Sequence, residues 1–293
     1  MDIEKTAAVL SRVSASAASL LKVALRSRRV SALNSETPVR PLVVMGNGPS
    51  LRSVLEGDRA VLQDCDLLAV NFAPNTPAFF ELRPRYLVLA DPHFFKVSAG
   101  DSDPNVLRLW ENLHRVDWPL LLLVPVRFAS AARTLAEAGR QPKKSGAVME
   151  IKTFNTTPAE GLRAVSHRLF DRGLAMPRPR NVLIASLMLG IRLGYKDIRI
   201  VGADHTWSRS LWVDDANRVV SVQPHFYEDK EEELDRVAAE YAGYHLHDIL
   251  RSLTVAFESY HHIAAYAAQR GVRITNLTPG SMIDAFPRSL TDR

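Results

Sequence analysis

Between Val43 and Val54 the chain reads VVMGNGPSLRSV, and the middle of that stretch holds residue types suited to gripping an anion. Gly46 and Gly48 have no Cβ, so a ligand can come close to the main-chain N–H groups around Asn47. Pro49 fits the first turn of a helix, and Ser50 sets a hydroxyl where helix-start N–H groups lack partners. Aligned peptide dipoles at such a start favour a negative group, most often a phosphate. The stretch is not Gly-x-Gly-x-x-Gly, because position 51 is Leu, and no Lys-Ser/Thr follows as in a P-loop. It reads equally as a plain strand-to-helix turn. A second kind of chemistry is proton transfer, for which histidine is suited because its ordinary pKa lies near neutrality. Of nine histidines, His205 follows Asp204, His225 opens the charged run HFYEDKEEELDR, and His93 comes two residues after Asp91. His245, His247, His261 and His262 fall in a long helical stretch, where they face solvent or neighbouring helices.

These residues need a frame, and the apolar runs predict one. Residues 41–45, 67–70, the LVLA before Asp91, 120–124, 198–202 and 272–277 read as buried strands. Helical patterns lie between them at 129–139, 159–172 and 182–194, and a longer one runs from about 234 to 269. Strands alternating with helices give an α/β protein with a mainly parallel, Rossmann-like sheet and right-handed crossovers. Ligands of such sheets sit outside the carboxyl ends of the strands. Asn47, Asn71, Asp91, Asp204 and His205 all fall there. Asn and Asp also favour turns, but five on one edge mark a site.

The whole chain sets further bounds. At 293 residues it can bury a large core, and 46% hydrophobic with 24% charged residues is the composition of a globular protein. Cys65 is the only cysteine, which rules out an internal disulfide and a cysteine-based zinc site and fits a reducing compartment. The formal charge is +5, and seven Lys/Arg against three Asp/Glu in residues 1–40 supply +4 of it. A nearly neutral remainder argues against a nucleic-acid groove on the folded body. No run of eighteen uncharged apolar residues predicts a membrane span, and Asp2 and Glu4 spoil a signal peptide. A cytoplasmic protein is expected.

Residues 1–40 form a separate unit, an amphipathic helix followed by a Ser/Asn/Thr/Pro linker, ahead of one domain at 41–293. Ile3, Ala7, Leu10, Val13, Ala17, Leu20, Leu21 and Ala24 share one side at helical spacing, with Lys5, Arg12, Lys22, Arg26 and Arg29 mostly opposite. That helix can dock on the body, pair with another copy through residues 1–30, or lie at the inner face of the inner membrane.

In order and spacing, MGNGPSL, AVNF, LADPHFF, LGYKDIRIVGAD and NLTPGS resemble bacterial sialyltransferases of glycosyltransferase family 42. Sialyltransferase-like and 6-hydroxymethylpterin-pyrophosphokinase-like proteins share some of these motifs, and the resemblance covers about residues 42–285. It implies a variant GT-A fold that binds a CMP-activated nonulosonic acid and passes the sugar to a glycan or glycolipid acceptor with inversion. It implies no cofactor and no metal. Gly46, Asn47, Gly48 and Ser50 would lie at the nucleotide phosphate and ribose, and Asn71 would help hold the CMP-sugar. Asp91 stands where the family often has an asparagine near the leaving phosphate. Asn181, Val182 and Leu183 replace the family's Thr-Ser-Gly around the cytidine, and Trp212 replaces a phosphate-contacting tyrosine. Thr206 completes the substrate-binding set. The lid, about 206–235, resembles the family's in PHFYEDK, but Lys230 stands where a histidine should follow Tyr227. The base is therefore expected to be His225, with His205 beside Asp204 as the other candidate. Two other readings stay open. One is a Mg²⁺-dependent nucleotide enzyme using Asp91, Asp204, Asp214 and Asp215; the other is a nucleotide-binding protein without catalysis.

Overall fold

The run after Pro41 forms strand β1 (Leu42–Met45), with all four side chains buried. The computed structural model describes residues 3–33, 38–57, 59–97, 103–138, 149–220 and 243–289. Six more strands join β1 in one sheet: β2 (Asp66–Val70), β3 (Tyr86–Val88), β4 (Leu120–Pro125), β5 (Met149–Phe154), β6 (Asp197–Val201) and β9 (Arg273–Asn276). Their order is β5-β4-β3-β2-β1-β6-β9, and every pairing is parallel. The Rossmann-like α/β sheet expected from the pattern is thus present. In β1 alternate residues serve opposite faces, as the pleat requires. Leu42 and Val44 join a core under helices α7 (Val182–Arg192) and α8 (Leu246–Gln269). Val43 and Met45 join the core on the other face, under α2 (Ser50–Glu56), α3 (Pro77–Leu82), α4 (Pro104–His114) and α5 (Ala129–Ala138). Helices on both faces explain why the central strands are apolar at consecutive positions.

Strand β5 was not legible, because Glu150 and Lys152 interrupt it. It is the edge of the sheet, paired only with β4, where charged side chains are tolerated. The helix expected at 159–172 starts later, as α6 (Arg163–Asp171). The segment before it stays extended because Pro158 bridges to Met176 and Gly161 adopts φ +102°. Within the expected lid, Trp212–Val213 (β7) and Val219–Val220 (β8) make a small antiparallel hairpin. His225 and Tyr227 lie outside the described residues.

The N-terminal helix, α1 (Ile3–Arg26), docks on the body through small polar residues. Ser16 Oγ accepts from the Leu162 N–H at 2.8 Å, Ser19 Oγ accepts from the Glu160 N–H at 2.9 Å, and Val23 is buried. Just past the helix, Ser27 donates to the Leu174 carbonyl, and Asn155 bonds both the N–H and the carbonyl of Arg28. A side chain at Gly161 would strike Ser16. The apolar side of α1 faces away from the body.

Candidate functional site

A cleft of about 490 Å³ lies along the carboxyl edge of the sheet. Each of β1 to β6 contributes residues just past its end: Asn47, Asn71, Asp91, Arg127, Thr156 and Gly202. The start of α7, at Asn181 to Leu183, and the segment Asp204 to Trp207 close it. Of the residues expected from the sequence, Asn47, Gly48, Asn71, Asp91, Asn181, Asp204, His205 and Thr206 line this cleft.

The glycine turn is present but serves the fold. The Gly46 N–H donates to the Val201 carbonyl and the Gly48 N–H to the Gly202 carbonyl, both at 2.8 Å. A Cβ on Gly46 would overlap the Gly202 carbonyl, and one on Gly48 would overlap the Asp204 carboxylate. The missing Cβ atoms therefore let the ends of β1 and β6 meet, and Gly46 does not line the cleft. The anion at the start of α2 is the protein's own. Asp204 Oδ2 accepts from the Ser50 hydroxyl at 2.7 Å and from the Ser50 N–H at 3.3 Å. Ser50 does not line the cleft, and Asp204 is a clamp between two strand ends.

His205 also differs from expectation. It has φ +53° and is 7% exposed. Its Nε2 lies 2.6 Å from the Tyr260 hydroxyl, which donates to Asn181 Oδ1 at 3.0 Å. That direction assigns the His205 proton to Nε2, donating to the tyrosine oxygen. The ring packs against Trp207 at a tilt of 35°, with centroids 4.1 Å apart. Burial lowers its pKa to about 3. The neighbouring carboxylate does not raise it, since Asp204 is bonded to Ser50. A histidine so reluctant to hold a second proton is a poor base.

Asn181 Oδ1 caps α7, accepting from the Leu183 and Ile184 N–H groups at 3.0 and 3.2 Å as well as from Tyr260. The NLTPGS motif braces the same region from behind. Thr278 Oγ1 accepts from the Ala203 N–H, Ser281 donates to the Ala203 carbonyl, and Asn276 donates to Ser281 Oγ.

Asp91 accepts from the His93 N–H at 2.8 Å and caps a short helical turn. His93 pairs with Asp103 at 2.7 Å. Trp212 sits on the hairpin, 47% exposed, and does not line the cleft. Asp214 is committed to Arg218 at 2.8 Å. Among the described residues, no three of His, Cys, Asp and Glu come together as metal ligands.

Other groups of the cleft lining have no hydrogen-bond or ion-pair partner among the described residues, with the Arg127 guanidinium lying over the Phe128 ring. Asn71, at φ +50°, has a buried Oδ1 that accepts no hydrogen bond. An orphaned buried carbonyl is costly unless a ligand or water meets it. Arg127 and Arg180 line the same cleft and form no ion pair among the described residues. Sequence reasoning passed over both. Arg127 stands two residues past the end of β4, and Arg180 directly precedes the Asn181 cap, so strand-end and helix-start positions were the available signals. Thr156 was missed with its strand.

No protein-family model and no curated protein matches the sequence. Among solved structures, the chain is similar to the MAf glycosyltransferase from Magnetospirillum magneticum AMB-1, with 13% identity and a TM-score of 0.48. That match covers 97% of this chain and 39% of the other, so this chain spans about two fifths of that structure's length. It is also similar to a mammalian sialyltransferase, with 13% identity and a TM-score of 0.32 over 81% of this chain and 76% of the other.

Proposed function

We propose that the chain is a glycosyltransferase whose donor is a CMP-activated nonulosonic-type sugar, sialic-acid-like or Kdo-like, transferred with inversion to a cell-surface glycan or glycolipid. The observation that carries this reading is the wall formed by Asn71, Arg127 and Arg180. A donor of this class brings a phosphate and a sugar carboxylate, which two guanidinium groups can meet, and ribose hydroxyls, one of which can satisfy Asn71 Oδ1. A cleft of about 490 Å³ is within the ordinary range for such a ligand. The ordered motifs from MGNGPSL to NLTPGS support the nucleotide class.

In this reading the guanidinium groups stabilise the charge that develops on the departing phosphate, without a metal. The acceptor hydroxyl needs a base within hydrogen-bond reach. His205 is unsuited, so the role falls to His225, with Tyr227 at the phosphate.

Titration with CMP, CDP and ATP, each with EDTA and with Mg²⁺, tests the donor class. CMP is expected to bind equally with and without metal, and Asn71→Ala to weaken it about tenfold or more. Binding of ATP alone, only with Mg²⁺, would instead favour the pyrophosphokinase-like reading. Turnover of a CMP-sugar tests the base. His225→Ala should lower it about 10²-fold with CMP affinity intact, and full activity in that variant would remove His225 from the mechanism.

A further inference from the structure

Of the four tryptophans, Trp207 differs from the other three. Trp110 and Trp118 are buried, and their indole N–H groups donate to the Phe94 and Pro84 carbonyls at 2.8 and 2.9 Å. Trp212 stands on the hairpin and does not line the cleft. Trp207 lines the cleft, half-buried, and its indole N–H donates to no group among the described residues. A large ring left open in a cleft is a contact surface for a ligand.

The residues behind Trp207 hold it in place. The His205 imidazole packs against one face of the indole, with centroids 4.1 Å apart. Phe257 and Tyr260 flank that imidazole in turn, at 6.4 and 5.5 Å between centroids. The Tyr260 hydroxyl accepts from His205 at 2.6 Å and donates to the Asn181 cap at 3.0 Å, so the support is anchored at the start of α7. His205 itself has φ +53°, a left-handed conformation uncommon outside glycine. Such an outlier persists only where its surroundings fix it, and it clusters at ligand sites. The other face of Trp207 meets no second ring among the described residues.

Asn71, Arg127 and Arg180 meet the ribose, phosphate and carboxylate of a nucleotide-sugar and leave its base without a partner. Apart from the His205 behind it, Trp207 is the one aromatic side chain among the described residues that line the cleft. A base offers an indole a whole flat π face, and stacking of this kind tolerates any base. Taking the donor of the preceding reading as the ligand, we propose that the open face of Trp207 is the platform on which the cytosine stacks.

Calorimetric titration of the parent, Trp207→Phe and Trp207→Ala with CMP, ATP and ribose 5-phosphate tests the proposal. Trp207→Ala is expected to weaken CMP about tenfold or more and to leave ribose 5-phosphate within about twofold, because that ligand has no base. Trp207→Phe keeps a ring and is expected to bind CMP within about threefold of the parent. CMP should also quench a component of the parent's fluorescence that Trp207→Phe lacks, which reads the stack without the alanine variant. CMP affinity unchanged in Trp207→Ala, or an equal loss for ribose 5-phosphate, would overturn the stack and leave the donor reading standing. A parent that binds ATP in place of CMP would overturn the donor reading alone if Trp207→Ala weakens ATP about tenfold, and both if it does not. Binding of no nucleotide would overturn both.

Discussion

The two walls of the cleft are built on opposite terms. On the β1/β6 wall the donors of Gly46, Gly48 and Ser50 are consumed by Val201, Gly202 and Asp204, and the Asn276–Ser281 loop braces the strand end from behind. On the other wall Asn71 Oδ1 is orphaned, and Arg127 and Arg180 have no carboxylate partner among the described residues. A fully satisfied wall holds shape; an unsatisfied wall holds capacity to bind. The residues that look most like a phosphate turn are therefore the scaffold, and the groups left without such partners lie elsewhere in the cleft lining.

Substitutions can separate the two roles. Gly46→Ala would press a methyl group into the Gly202 carbonyl, with backbone on both sides and Gly202 itself held at φ +68°. Overpacking of this kind should cost about 3 kcal/mol, measurable by urea unfolding. A variant as stable as the parent would show that the strand ends can part, and the contrast between the walls would fail.

Arg127→Ala and Arg180→Ala should do the reverse. Their unfolding midpoints are expected to stay put while CMP affinity falls about tenfold for each lost charge-assisted contact. Loss of stability without loss of affinity would move them to the scaffold.

The effect that depends on pH belongs to His205. Below its ordinary value of 6.5 the unfolded chain takes up a proton that folded His205 refuses until about pH 3. Stability should therefore fall as pH drops through that window, by up to about 1.4 kcal/mol per unit, and stay level in this respect above it. His205→Gln, which cannot titrate, should flatten that slope in acid unfolding curves. An unchanged slope would place the acid sensitivity elsewhere.

How far the sequence could be read follows the same division. Buried central strands announce themselves, because both faces of β1, β2 and β4 are apolar, and β1 and β2 break off at Gly46 and Asn71. The cleft lies at those ends, and Asn47, Asn71, Asp91 and Asn181 all line it. What remained hidden depended on contacts between distant parts of the chain. Nothing local to Gly48 and Ser50 reveals that Asp204, more than a hundred and fifty residues on, takes the anion's place. Nothing beside His205 reveals Tyr260, which arrives from α8 and buries the imidazole. Arginines are common on surfaces, so Arg127 and Arg180 acquire meaning only when β4 and the α7 cap face one cleft. The face by which α1 docks was likewise invisible, since its periodicity marks the apolar side and the contact uses the serines.

The Asp204 carboxylate at the Ser50 hydroxyl has a consequence for selectivity among solutes. A tethered group competes for its seat at an effective concentration of the order of millimolar or more. Loose phosphate or chloride below that level loses the contest and leaves the turn closed. The turn thus rejects small ions by keeping a resident of its own.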